Sequence, residues 1–162
     1  MSERESLQRK HEARIAAVQS LYRQKLDGGA LDAERTIQQL SERLLEEHES
    51  EIEGFVVKPD VPPDYALLRR LLEGLATETA AMEKLLADVC NRDGKRPYAR
   101  LNPLIQSILI AGAYELAHQQ QLEPGIVIDE YVSVAAGFYD APEVSYINGM
   151  LQELSKRLER ST

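Results

Sequence analysis

Residues 126–139 read IVIDEYVSVAAGFY, and the fold class of the chain turns on them. Their β-branched side chains would suit a strand. A strand needs a partner, however, and no other segment of the 162 residues offers itself as one. The absence of a second candidate therefore tips the segment toward helix, and the expected fold is all-α, a bundle of six or seven helices.

Helical periodicity runs through the rest of the chain. Ser2 with Glu5 has the spacing of a capping box, which opens a first helix expected to end near Leu26, before Gly28-Gly29. A second amphipathic helix is expected from about Leu31 to Phe55, with Ile37, Leu40 and Leu44 on its apolar side and charge elsewhere. The stretch VVKPDVPPDY then reads as a linker, because its prolines lack the amide donors a helix needs. Asp64 is placed to cap a long helix in which Leu68, Leu72, Leu75, Thr79, Met82, Leu86 and Val89 alternate steps of four and three. After a turn at NRDGKRPY, Asn102 and Pro103 open NPLIQSILIAGAYELAHQQ, which is apolar on most sides and should be central. A last helix, started by Asp140, Pro142 and Glu143, carries the seam Val144, Ile147, Leu151, Leu154 and Leu158.

The size and the 43% hydrophobic content suit one domain spanning residues 1–162. No run of about 18 apolar residues is present, so a cytoplasmic location is expected. A single cysteine, Cys90, and three histidines give neither a disulfide framework nor a zinc-ligand spacing, and Cys90 reads as a core residue. The net charge is -8, yet residues 4–26 hold six Lys/Arg against Glu5 and Glu12, a local +4. Residues 27–62 reverse this, with ten Asp/Glu against three Lys/Arg, a local -7. Acidity of that order opposes indiscriminate nucleic-acid binding but leaves room for one basic face on the first helix.

Motifs of catalysis are missing: there is no Gly-rich phosphate loop, nucleophile elbow or HExxH. Glu115-Leu116-Ala117-His118 has the E-x-x-H spacing that di-iron bundles use in duplicate, but only one copy exists. It reads instead as a carboxylate at the bundle edge and a histidine near a helix C-terminus. No enzyme activity, metal or cofactor is expected.

Five segments in order, ARIAAVQSLYRQKL, LLEGLATETAAMEKLL, ILIAGAYEL, IVIDEYVSVAAGFY and SYINGMLQEL, resemble the NusB family of bacterial transcription antitermination factors over most of the chain. The resemblance implies two small helical bundles packed together and makes residues 126–139 a helix. It also implies a non-catalytic protein that holds boxA-type single-stranded RNA with the NusE ribosomal protein of the small subunit. Such a protein would serve the RNA polymerase antitermination complex during ribosomal-RNA transcription.

By the same resemblance the RNA-binding residues are expected on the first helix. Arg14 lies in the matching segment, with Arg9, Lys10 and Arg4 in the basic run before it. Lys10 and Arg14 are one turn apart and are expected to share an exposed face. Tyr22 and Tyr146 are candidate stacking platforms for bases. Tyr22 falls close to Ile15 and Leu26 around its helix, which favours core packing over RNA contact, whereas Tyr146, off the apolar seam and expected toward solvent, is equally open to either role. His11 and Glu12 interrupt the arginine run that relatives carry, Ile110 stands at a usually basic position, and Asp129 replaces a common asparagine. That thinning keeps open an alternative, a NusB-like protein-interaction module with weak or no RNA binding. A NusB-like appendage of an RNA-cytosine methyltransferase would need a catalytic domain after Thr162 and is not expected.

Overall fold

Helix formation follows the capping and apolar periodicity closely in this computed structural model, which describes residues 1–45, 51–52, 55–56, 61–92, 96–119 and 121–160. Helix α1 (Glu3–Asp27) starts where Ser2 Oγ accepts the Glu5 amide at 3.1 Å. It stops where Gly28 adopts φ 76°, a left-handed turn that suits a residue without Cβ, and donates to the Gln24 carbonyl. Helix α2 (Ala33–Leu45) follows, then two short strands, β1 (Glu51–Ile52) and β2 (Phe55–Val56), paired antiparallel. Helices α3 (Tyr65–Asn91), α4 (Pro103–His118), α5 (Pro124–Ala136) and α6 (Ala141–Arg160) complete the chain, with a 3-10 turn at Tyr98–Arg100 before α4.

Residues 126–139 are helical up to Ala136, which settles the all-α class, and Pro124 moves the start of α5 two residues earlier. One expected boundary was wrong. The second helix, α2, is described to Leu45 and does not run to Phe55, because Glu51–Ile52 and Phe55–Val56 pair as strands; residues 46–50 lie outside the described residues. Residues 57–60 of VVKPDVPPDY and 93–95 of NRDGKRPY lie outside the described residues.

Asp64 caps α3 through Leu67 N at 3.0 Å, and Asn102 caps α4 through Leu104 N at 2.9 Å. Helix α4 is buried without interruption from Leu104 to Glu115 and is the hub of the fold. On one side α1, α2 and α3 pack together, on the other α5 and α6, and α4 packs against α1 and α3 as well as against α5 and α6. Close approach at two glycines makes this fit. A Cβ on Gly74 of α3 would overlap the hydroxyl end of the Tyr114 ring, and one on Gly112 of α4 would stand 3.0 Å from a Leu151 methyl of α6. The four-three seams of α3 and α6 face inward, with Leu68, Leu72, Leu75, Leu86, Ile147, Leu151 and Leu154 fully buried. No helix among the described residues is long and apolar enough to cross a membrane.

Candidate nucleic-acid interface

The N-terminal half of α1 presents the basic run, and its side chains have three different fates. Arg4 and Lys10 are exposed. Arg9 is half-buried and turns toward the chain entering α3, donating from Nε to the Pro62 carbonyl at 3.2 Å and from Nη2 to the Pro63 carbonyl at 3.4 Å. The Arg9 carbonyl in turn accepts the Asp64 amide at 2.9 Å. A proline pair supplies carbonyl acceptors but no donors, so a guanidinium is a natural complement, and the contact ties the basic end of α1 to the start of α3.

Arg14 is inside the protein, 4% exposed, which corrects the expectation that it shares an open face with Lys10. Its Nε and Nη2 donate to Glu115 Oε2 and Oε1 at 2.8 and 3.0 Å, a bidentate pair. The Tyr131 hydroxyl donates to the same Glu115 oxygen that Arg14 Nε engages, and Glu130 lies 3.6 Å from Arg14 Nη1. Burial alone would lower the Arg14 pKa; the hydrogen bonds and charge of Glu115 outweigh it and raise the value. Burial and the Glu115 carboxylate likewise push the Tyr131 hydroxyl well up, so it remains a donor. The reason for the burial is the face of α1 that packs: Ala13, Ala17, Val18 and Leu21 are buried, and Arg14 belongs to that side while Lys10 sits past its edge.

Glu115 is correspondingly in the core, 1% exposed, and not at the bundle edge. Its partners are Arg14 and Tyr131, whereas His118, one turn on, stacks on Tyr114 at 5.0 Å and faces Glu78 at 3.7 Å. Among the described residues no three His, Cys, Asp or Glu side chains come together as a metal-ligand set. A signal for the Arg14 partnership was present in the sequence. A lone carboxylate inside an otherwise apolar helix demands a buried cation.

His11, which interrupts the basic run, faces Glu130 of α5 across 3.9 Å. The neighbouring His11, with the charges of Arg14 and Lys10, holds the Glu130 carboxyl below its usual range against the opposing effect of burial. The basic run is thus partly neutralised by α5 from the side.

The two aromatic candidates are separated from the basic run. Tyr22 is half-buried and packs on the core, near enough to Tyr139 to affect its ionisation. Tyr146 is also half-buried rather than open to solvent, with its hydroxyl 3.7 Å from Cys90 Sγ and the Arg96 guanidinium 5.1 Å over its ring. Arg96 was not singled out by sequence, because a cation-on-ring contact between a loop and a distant helix leaves no local pattern. Arg9 meets α3 at Asp64 and Tyr146 meets it at Cys90. Those 26 residues of helix span about 39 Å at 1.5 Å each, so the cations and this ring stand at opposite ends of α3.

Comparison with known proteins adds a lineage to this geometry. The family model described as the NusB family matches residues 11–156. A transcription antitermination protein NusB from Nitrobacter hamburgensis is 30% identical over 151 residues, covering 92% of this chain and 87% of the relative. One from Rhodopseudomonas palustris (strain TIE-1) is 29% identical over 155 residues, covering 92% and 80%. Among solved structures, T. maritima NusB superposes with a TM-score of 0.67 at 16% identity, covering 91% of this chain and 90% of that one. The NusB and NusE antitermination factors in complex with double-stranded RNA give 0.68 at 19% identity, covering 92% and 97%.

Proposed function

The chain belongs to the NusB family, and from that premise we propose that it is a transcription antitermination factor without catalytic activity of its own. It binds boxA-type single-stranded RNA together with the NusE ribosomal protein, in the RNA polymerase antitermination complex that transcribes ribosomal RNA. The family match over residues 11–156 carries this reading. A structural neighbour that is itself a complex of NusB with NusE and RNA supports the choice of partners. Physical support comes from the rigid presentation of Arg4, Arg9 and Lys10 at one end of α1 in a chain of net charge -8. Arg14 positions α1 from inside, and Tyr146 with Arg96 offers a stacking site at the far end of α3.

Three phosphate contacts at a slope near -0.7 each give a log-log salt dependence of about -2, which is shallow. Binding by the chain alone is therefore modest and is strengthened by a basic partner that extends the cationic track. The coupling is about 1–3 kcal/mol and reciprocal. Titrating boxA-like RNA, single-stranded and duplex, without and then with saturating NusE tests the proposal: tighter binding in the presence of the partner is expected, and equal affinities remove the cooperative mechanism. The burial of Arg14 favours a second reading, a protein-interaction module with weak or no RNA binding. Failure of RNA to bind in either titration, with NusE still bound, selects that reading.

A further inference from the structure

Between the second half of α1 and the whole of α2 lies a groove of about 400 Å³ whose cations are all arginines: Arg23 of α1, Arg35 and Arg43 of α2. Arg23 and Arg35 are exposed, and neither has an ion-pair partner among the described residues. The charges of α2 are sorted about its axis. Its glutamates are kept out of the groove, with Glu34 pairing to Arg69 of α3 at 3.1 Å and Glu42 accepting from Gln38 at 3.2 Å. The two carboxylates that do line it, Asp27 and Asp32, stand at the α1–α2 turn, where Asp32 accepts the Arg35 amide at 3.2 Å. A locally cationic channel is thus built partly from the acidic stretch 27–62 of an acidic chain.

The geometry points to this groove as a binding channel for the phosphodiester backbone of RNA beyond the segment held at the start of α1, an inference that rests on the proposed function. Arginine suits phosphate because its planar fork can give two parallel hydrogen bonds and its charge is weakly hydrated. The walls between the arginines are amides, Gln19, Gln24 and Gln39, which donate and accept without reading a charge sign. An amphipathic peptide would need a row of apolar pockets, and the groove offers only Ala16, Leu31, Leu40 and their neighbours. Continuity favours RNA as well: Arg23 lies 14 residues after Arg9, about 21 Å along α1 and about 40° around it, so one strand can run along a single side of the helix.

The test compares wild type with Arg23→Gln/Arg35→Gln, both on exposed sites, after melting curves have shown equal stability. Probes are RNAs of about 8 and about 16 nucleotides, bracketing common single-strand site sizes, and a glutamate-rich peptide. Wild type should bind the longer RNA more tightly than the shorter, and the variant should bind both like the shorter one. Loss of two contacts lowers the salt slope on the longer RNA by about 1.4, so a fourfold rise in salt weakens the variant about sevenfold less than wild type. No length dependence in wild type, equal losses on both RNAs, or a variant that behaves like wild type would overturn the channel while leaving the proposed function standing. Loss of peptide binding with RNA binding unchanged would overturn it in favour of an acidic protein partner. If wild type binds neither RNA, with or without NusE, the channel and the proposed function fall together.

Discussion

Replacing Arg14 by methionine separates a residue that contacts RNA from one that holds α1 in place. The substitution keeps the length of the side chain and removes the charge, leaving Glu115, 1% exposed, with only the Tyr131 hydroxyl as a hydrogen-bond partner among the contacts described above. Removing one partner of a buried pair costs about 3–5 kcal/mol, because the remaining charge is left uncompensated. For a domain of this size each kcal/mol lowers the thermal midpoint by about 2–4 °C, so Arg14→Met should melt about 6–20 °C lower. Adding Glu115→Leu removes the orphaned charge but leaves the fully buried Tyr131 hydroxyl without its acceptor, at about 1–3 kcal/mol. Further addition of Tyr131→Phe should bring stability back near wild type, since an apolar replacement of a buried network is often neutral or better. Urea titrations of the single, double and triple variants give the interaction energies directly. Additive losses through the series, or an Arg14→Met midpoint within about 1 °C of wild type, would refute the argument. Well below its melting transition, Arg14→Met should retain most of its RNA affinity, which a direct phosphate contact could not do.

Lys10→Glu should do the opposite, weakening RNA binding several-fold in a filter or anisotropy titration while stability stays within about 0.5 kcal/mol, since Lys10 is exposed. Leu72→Ala and Leu151→Ala should each destabilise by about 2–5 kcal/mol in urea unfolding, both side chains being fully buried. Gly74→Ala should cost about 1–3 kcal/mol, since the new methyl occupies the place of the Tyr114 ring, and a crystal structure should show that ring displaced. Glu130 has a folded pKa below its unfolded value, so its stabilisation is present above the ordinary carboxylate range and is lost as pH falls through the folded value. Melting temperatures of wild type and Glu130→Gln should therefore differ near neutrality and converge in acid.

Capping residues and apolar seams made the helices legible, because both act within a few residues of one another. Asp64, Asn102 and Ser2 each cap the helix they precede, and the four-three seams of α3 and α6 point inward as spaced. The candidate site was less legible for a reason that the first helix illustrates. Lys10 and Arg14 differ by about 40° around α1, and which of them is buried depends on how α4 and α5 approach, a tertiary matter that spacing on one helix cannot decide. Tyr146 and the basic run each suit RNA by residue type, but their separation by the length of α3 is not written in either segment. The end of α2 was placed too late because amphipathic spacing on one segment carries no trace of the strand pairing between Glu51–Ile52 and Phe55–Val56.

An acidic protein that keeps one helix so densely basic must reconcile two demands on that helix. Helix α1 is a wall of the core as well as the carrier of the cations, and the two tasks conflict wherever the charged and packed faces meet. At Arg14 the conflict is resolved inward, by a carboxylate on α4 and a hydroxyl on α5; at Arg9 it is resolved sideways, by the carbonyls of Pro62 and Pro63. Each solution fixes the rotation and tilt of α1 against a different element. Fixing α1 in this way reduces the ordering that RNA binding would otherwise require of Arg4 and Lys10, so few cations can act together. The arrangement subtracts Arg14 from the number of phosphate contacts and adds rigidity to those that remain. Adding a cation to the basic run, for example by Glu12→Arg, should therefore steepen the salt dependence of RNA binding by about 0.7. A charge-removing change at Arg14's partner, Glu115→Gln, should leave that slope unaltered while lowering stability.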